Sequence, residues 1–184
     1  MPNITKNTEN YNGVYNAIKH RRGVRQFAAE TVPRVQIEQV ILAGRLSASA
    51  KNRQPWQFIV VTERDTLQAL SVCGPWCGHL AGAAFAVVMT VEDMHDPATL
   101  TTPFDLGRAS QNMILAAWEI GIMSCLATIY EPDKARAALE IPDDRAVPWA
   151  ISFGYPTPES DPRNRPPRKS GRRVLDEIVH WERW

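Results

Sequence analysis

The segment that most constrains the fold is residues 106–120, which is apolar and has no charged side chain from residue 109 to residue 118. Its apolar residues recur at the three- and four-residue spacing of an α-helix, at Leu106, Ala109, Met113, Ala116, Ala117 and Ile120. Because the apolar surface covers more than one helix face, we predict a buried helix. The helix has more apolar surface than the rest of a small monomer needs for its core, so we expect the remainder to be buried against a second copy in a homodimer.

Strand-like and helix-like segments alternate on both sides of this helix. Short runs rich in apolar and β-branched residues predict strands at 57–62, 84–91, 124–130 and 150–154, the first two of them buried. Helical spacing predicts helices at 14–20, from Pro33 to about residue 47, at 66–71 and at 132–139. The polar segment 93–103 is expected to be a loop that could cover a site. This alternation predicts an α/β or α+β layered domain.

No repeat or linker divides the chain, so we expect one domain over residues 1–184, with a flexible arm at 1–12 and an extended arm at 156–184. The 21 Lys and Arg side chains nearly balance 20 Asp and Glu, which argues against general attraction to nucleic acid or membranes. Three cysteines are an odd number for a disulfide framework. The first residues lack the apolar stretch of a secretory signal, and we predict a cytoplasmic protein.

Two basic clusters lie far apart in the sequence. The first contains Lys19, His20, Arg21, Arg22 and Arg25, and the second contains Arg163, Arg165, Arg168, Lys169, Arg172 and Arg173. If the fold brings them together, they form a pocket suited to a phosphate monoester, and otherwise they are two solvated segments. The loop at 47–56 offers hydroxyl and amide groups that could bind a planar polar ring, or it is an ordinary helix–strand connection.

The usual catalytic motifs are missing from the sequence. It contains no HExxH, Walker or GxGxxG pattern and no nucleophile–base pair. The four histidines are scattered and are expected to lie on the surface or to be satisfied by hydrogen bonds. Cys73 and Cys77 are spaced one residue wider than a CxxC pair and are expected to be structural, with no metal site. Chemistry in this chain would therefore depend on a bound organic cofactor.

Four stretches together resemble the nitroreductase family of FMN-dependent oxidoreductases. They are RRGVRQF at 21–27, SASAKNRQPWQFIVV at 47–61, GYP at 154–156 and GRRVLDEIVHW at 171–181. The resemblance implies an α+β fold with a central mixed or antiparallel sheet flanked by helices, in an intertwined homodimer. It also implies ping-pong electron transfer from NADH or NADPH, through bound FMN, to a small organic acceptor such as a nitroaromatic or a quinone. A reductive dehalogenase, a flavin-cleaving enzyme and a non-enzymatic flavin-binding or nucleic-acid-binding protein are the alternatives.

The resemblance also assigns flavin-contacting positions, while the flavin itself carries the chemistry. Arg21, Arg22, Gly23 and Arg25 are expected at the phosphate and pyrimidine edge, with Arg25 stabilising the reduced ring. Ala48, Ser49, Asn52 and Gln54 are expected to reach the flavin of the partner subunit. The backbone of Leu126, Ala127 and Thr128 is expected along one flavin edge, and Arg172 on the phosphate beside Arg173. Arg163 lies outside the matched motif and is expected to be a solvated surface charge.

Overall fold

A computed structural model describes residues 13–92, 101–164 and 171–184. The helices are α1 (Val14–His20), α2 (Arg34–Arg45), α3 (Arg64–Ser71), α4 (Thr102–Glu119) and α5 (Pro132–Leu139), and the strands are β1 (Gln57–Val61), β2 (Phe85–Val91), β3 (Met123–Thr128) and β4 (Ala146–Gly154). The arm predicted at 1–12, most of the predicted loop at 93–103 and the basic residues Arg165, Arg168 and Lys169 lie outside the described residues.

The four strands form one antiparallel sheet in the order β1-β2-β4-β3. Every residue of β2 is buried, because this strand lies inside the sheet and both of its faces are covered. One face, which includes Val87 and Ile151, packs with α2 and α4, while the other, which includes Val88 and Ala150, packs with α3 and α5. Helices on both faces of an antiparallel sheet confirm the α+β class.

The charge-poor helix is confirmed as α4, which packs against α2. The two helices approach closely where Gly44 faces Met113, since a Cβ built on Gly44 would lie 2.8 Å from the Met113 side chain. The helix begins at Thr102, four residues before the predicted start. Pro103 was assigned to the preceding loop, but proline fits the first turn of a helix because the N–H that it lacks has no helical partner there.

Two strand predictions needed correction. The strand at 57–62 was expected to be buried, but β1 is an edge strand in which only Val61 is buried. The last strand starts at Ala146, four residues before the predicted start at 150. Pro148 lies within the added part, and its carbonyl accepts a hydrogen bond from Ile129 N–H at 3.0 Å. Proline cannot donate to a strand partner, which is why the sequence argued against a strand there.

The apolar end of the chain stays uncovered within the described residues. The segment 174–179 was predicted to pair with another element, but it forms a short 3₁₀ turn at Leu175–Glu177. Its apolar side chains and those that follow are exposed, namely Val174, Leu175, Ile178, Trp181 and Trp184. Among the described helices, none has both the length and the apolar character needed to cross a bilayer.

Candidate functional site

A cleft of about 350 Å³ lies between α4 and the exposed edge of β3. Its lining consists of Arg21 and Gly23 from the segment after α1, Pro103, Gly107, Ser110, Gln111 and Ile114 from α4, Ser124, Cys125 and Leu126 from β3, and Trp149 from β4. Three predicted flavin-contacting residues, Arg21, Gly23 and Leu126, therefore meet in one cavity. Its volume lies within the range of small-molecule sites.

The segment after α1 is attached to the sheet by its backbone. Gly23 forms a parallel bridge with Ser124, and the Val24 N–H donates to the Ser124 carbonyl at 3.0 Å. Farther along, the Ala28 N–H donates to the Tyr155 carbonyl at 2.9 Å. Gly23 and Val24 thus run alongside β3 like a short additional strand. Because Arg21 directly precedes this segment, these contacts hold it at the mouth of the cleft.

The two distant basic clusters meet at Arg21 and Arg172. Burial, together with the nearby guanidinium groups of Arg172 and Arg22, lowers the pKa of Arg21 below its ordinary value. In the described part of the chain, no carboxylate forms an ion pair with Arg21. Gly171 has a φ of 112°, a conformation that favours glycine, and so turns the chain directly before Arg172. Like charges gathered without a counter-charge favour the binding of an anion.

Three other arginines of these clusters already bond within the chain. Arg22 Nη1 donates to the carbonyls of Lys19 and Arg21, each at 2.8 Å, at the end of α1. Arg173 pairs with Glu177, with 3.3 Å between Nε and Oε2. Arg163 is half-exposed, as expected of a surface charge, and its guanidinium also forms a forked pair with Asp161 at 2.7–3.0 Å. The predicted anion site therefore depends mainly on Arg21 and Arg172.

The backbone of β3 presents hydrogen-bonding groups at its uncovered edge. Ile129 N–H bonds across to β4, whereas the Ser124 carbonyl bonds away from β4 to Val24. Because backbone direction alternates along a strand, the N–H groups of Leu126 and Thr128 point to the uncovered edge and those of Ala127 point to β4. Leu126 and Thr128 can therefore donate to a ligand, while the side chain of Ala127 is buried in the core.

The 47–54 loop is well ordered by hydrogen bonds but adopts an unusual backbone. Lys51, Asn52 and Gln54 have φ values of 52°, 55° and 50°, in the left-handed region. Such conformations cost roughly 1–2 kcal/mol each for a residue with a side chain. The Gln54 N–H donates to Ser49 Oγ at 2.9 Å, and the side chains of Asn52 and Gln54 are exposed. Strained backbone that presents polar groups outward is frequent at binding sites.

This loop lies on the side of α4 that faces away from the cleft. The Ala50 N–H donates to Asp105 Oδ2 at 3.0 Å, which joins the loop to the first turn of α4. Pro103 and Gly107 line the cleft, and each is two residues from Asp105. Two residues correspond to about 200° around a helix, so Asp105 and the cleft occupy opposite faces. Ala48, Ser49, Asn52 and Gln54 are therefore separated from the cleft of their own chain.

Comparison with known proteins identifies the relationship. The sequence model of the nitroreductase family matches residues 18–73 and 74–155. The chain belongs to the nitroreductase family. This confirms the resemblance to the family, and the matched residues include the motifs at 21–27 and 47–61 in full.

Individual members of the family are similar to this chain in sequence or in fold over most of its length. A protein from Archaeoglobus fulgidus, whose name proposes an NADH dehydrogenase or NAD(P)H nitroreductase, is 31% identical over 173 residues, which cover 89% of this chain and 94% of the relative. A Parabacteroides distasonis crystal structure with the same proposed name has a TM-score of 0.77 at 26% identity, covering 92% of this chain and 98% of that chain. The fold is also shared with an FMN-dependent nitroreductase from Clostridium difficile, with a TM-score of 0.78, 23% identity and coverage of 93% and 100%.

Behind β3, this nitroreductase-family chain buries a histidine that the sequence did not distinguish. His79 Nδ1 lies 2.8 Å from Ser152 Oγ, while its Nε2 is buried and has no hydrogen-bond partner among the described residues. Burial, and secondarily Arg25, lowers the pKa of His79 to about 4. The expectation of satisfied or surface histidines was therefore wrong for His79. His95 lies outside the described residues.

All three cysteines are buried and free. Burial raises the pKa of Cys77 to about 11, and its thiol contacts the Thr128 carbonyl at 3.4 Å. Burial also raises the pKa of Cys125, although Arg25 and Arg21 act in the opposite direction. Arg25 is therefore near Cys125, a residue of the cleft wall, but it is exposed and is not one of the residues that line the cleft. Within the described ranges, no group of three or more His, Cys, Asp or Glu side chains could hold a metal ion.

Sequence reasoning missed the wall of the cleft that α4 provides. Gly107, Ser110, Gln111 and Ile114 line it, at three- and four-residue spacing along one helix face. The sequence feature that could have revealed this wall is a stripe of small and polar residues on an otherwise apolar helix. The prediction counted that stripe as buried, because the sequence does not show which elements pack against α4.

Proposed function

We propose that this chain is an FMN-dependent oxidoreductase that takes electrons from NADH or NADPH and reduces a small organic acceptor such as a nitroaromatic or a quinone. The observation that carries the proposal is the meeting of Arg21 and Arg172 beside the cleft. Two guanidinium groups that have no carboxylate partner among the described residues fit the dianionic phosphate of a mononucleotide. The absence of a GxGxxG motif in the sequence favours FMN over a dinucleotide flavin.

Each part of the site has a role toward FMN. Arg21 and Arg172 would bind its phosphate, and the N–H groups of Leu126 and Thr128 would donate to one edge of the ring. Arg25, near the cleft wall, would favour negative charge on the ring. When bound, FMN would supply the capacity to accept and pass on a hydride, which no protein side chain provides. The protein binds and orients the ring and keeps one face accessible to the donor and then to the acceptor, which is a ping-pong arrangement.

The proposal includes a homodimer with two flavin sites and one flavin-binding domain per chain. The 47–54 loop is bonded to the face of α4 opposite the cleft of its own chain, so a second copy is needed to bring Asn52 and Gln54 to a flavin. An apolar groove of about 680 Å³ between α2 and β1 and the exposed apolar tail at 174–184 support mutual wrapping of two chains. Three free, buried cysteines favour a cytoplasmic location.

Identification of the released cofactor and a kinetic screen test the proposal. Heating the purified protein should release FMN, identified by chromatography against FMN and FAD standards. Oxidation of NADH and NADPH should then be followed with nitroaromatic, quinone and halogenated phenol acceptors. Parallel lines in double-reciprocal plots are expected for a ping-pong reaction. Recovery of FAD, or no flavin binding after reconstitution, would contradict the proposal, and activity on halogenated phenols alone would favour the dehalogenase alternative.

A further inference from the structure

We propose that Asp105 is a positioning residue for the flavin site. Its buried carboxylate holds the 47–54 loop in the conformation that presents Asn52 and Gln54 to FMN in the partner subunit. This inference rests on the proposed function, because it concerns how the loop is prepared for that ligand.

The contact is specific and lies between segments that are distant in sequence. The Asp105 Oδ2 accepts the Ala50 N–H at 3.0 Å, and Asp105 is 2% exposed. The other carboxylate oxygen, Oδ1, faces Arg108 Nη1 at 3.9 Å. A carboxylate is removed from water only at a cost, so its burial against the loop requires these partners. The bond fixes the loop where the chain leaves Ser49 and begins its left-handed section.

The loop needs such a fixed point because its own sequence does not favour its shape. Lys51, Asn52 and Gln54 all have left-handed φ values, and none of them is glycine. Local hydrogen bonds join Ser49 to Asn52 and Gln54, with N–H donors at 3.0 and 2.9 Å, but they lie within the loop. Among the described residues, the bond to Asp105 joins the start of this section to a helix of the core. Strained conformations persist only where the surroundings determine them.

A general preference for acidic residues at helix starts does not explain Asp105. Asp133 is the matched case, since it lies in the first turn of α5 and also pairs with the arginine three residues later. The side chain of Asp133 is 91% exposed, however, whereas that of Asp105 is 3% exposed. Both carboxylates are stabilised by the helix dipole. Of the two, only Asp105 accepts a hydrogen bond from the 47–54 loop, through the Ala50 N–H.

Four variants separate the hydrogen bond from the charge and from helix stability. Asp105→Ala removes the acceptor, and Asp105→Leu removes it while filling the buried space. Asp105→Asn keeps a carbonyl oxygen that can accept the Ala50 N–H but removes the charge. Asp133→Ala is the matched control at the start of α5. FMN affinity is measured by flavin fluorescence on flavin-free protein, together with amide exchange of residues 48–54 and the thermal unfolding midpoint.

If Asp105 positions the loop, Asp105→Ala and Asp105→Leu raise the Kd for FMN about tenfold and accelerate exchange at the Ala50 amide in the flavin-free protein. Asp105→Asn stays within about threefold of wild type, and Asp133→Ala matches wild type. If Asp105→Ala does not fold, Asp105→Leu gives the same comparison.

Three results would overturn the inference. The first is unchanged affinity and unchanged loop exchange in both acceptor-free variants. The second is an equal loss of affinity in Asp105→Asn and Asp105→Ala, which would assign the effect to charge. The third is wild-type protein that binds no FMN, which would reject the proposed function itself. Wild-type binding with unchanged variants would reject only the role of Asp105.

Discussion

At the scale of single residues, the proposed anion site depends on two arginines from opposite ends of the sequence. Replacing Arg21 or Arg172 with Ala should weaken FMN binding about tenfold or more, because a charge-assisted contact contributes roughly 1.5–3 kcal/mol. Since both would contact one dianion, the double variant should deviate from additivity. Flavin titration of the four proteins measures these effects.

Arg163→Ala is the control for this pair. It removes a guanidinium from the same basic stretch, but one that is already paired with Asp161. We expect a small loss of stability and an unchanged affinity for FMN. Equal, small effects at Arg21, Arg172 and Arg163 would show that the phosphate lies elsewhere.

His79 gives the molecule a predictable response to acid. Its pKa falls from 6.5 to about 4 on folding, mainly through burial, so between these values the unfolded chain binds a proton that the folded chain does not. The stability that the neutral imidazole contributes is complete above about pH 6.5 and is lost as the pH falls toward 4. The loss should reach about 2 kcal/mol between pH 7 and pH 4.5.

Denaturant unfolding at both pH values, on wild type and His79→Leu, measures this contribution. The variant has no imidazole to titrate, so its free energy of unfolding should fall by about 2 kcal/mol less than that of wild type. Equal losses in the two proteins would exclude His79 as the source of the pH dependence.

Residue roles were harder to predict than residue types. The motifs identified arginines at 21, 22, 172 and 173, but Arg22 bonds to backbone carbonyls and Arg173 pairs with Glu177. Which guanidinium stays available depends on side-chain geometry and on neighbours that a linear motif does not describe. Likewise, the sequence gives no sign that the imidazole of His79 is buried, because that depends on the packing of β3 and β4.

At the scale of elements, the spacing of apolar residues predicted the helices well where local sequence alone determines the structure. Helices α1 and α5 were predicted with the bounds that the structure has. The burial of β1 was predicted wrongly, because an apolar run looks the same in an edge strand and in a central strand. The left-handed backbone at Lys51 and Gln54 was not predictable either, since neither residue is glycine.

The end of α5 provides a stability prediction. Glu140 ends the helix with φ 52° and ψ 38°, and the Ile141 N–H bonds back to the Arg136 carbonyl at 3.0 Å. Glycine adopts this left-handed conformation without steric cost, so Glu140→Gly should stabilise the fold by about 0.5–1 kcal/mol. The measurement is urea unfolding.

Ala137→Gly is the control in the same helix. Residue 137 is exposed and lies within α5, where glycine should cost about 1 kcal/mol relative to alanine. The same substitution type should therefore have opposite signs at positions 137 and 140. A loss of stability at both positions would contradict the account of the helix end.

At the scale of the whole molecule, the order of the strands decides where the site lies. β3 is at the edge of the sheet, so its backbone can meet both the segment after α1 and a ligand. The sequence motifs predicted the α+β class but could not show that α4 separates the loop from the cleft. That separation depends on Asp105 and Gly107 lying on opposite faces of α4. It leads to a prediction about the assembly.

Mixed dimers should recover one intact flavin site from two defective chains. One chain carries Arg21→Ala, and the other carries Asn52→Ala and Gln54→Ala. If each site takes its arginine from one chain and its loop from the other, a mixed dimer has one doubly defective site and one unaltered site. Each variant homodimer should bind FMN about tenfold more weakly than wild type.

Mixed dimers isolated through two different affinity tags should bind one FMN per dimer with wild-type affinity, whereas wild-type dimers bind two. The wild-type protein with both tags is the control for the purification. If the loop and the arginine of one chain served the same flavin, every site in the mixed dimer would carry one defect. Two equally weakened sites would therefore contradict the shared site, and a stable monomer that binds FMN in sedimentation would contradict the homodimer.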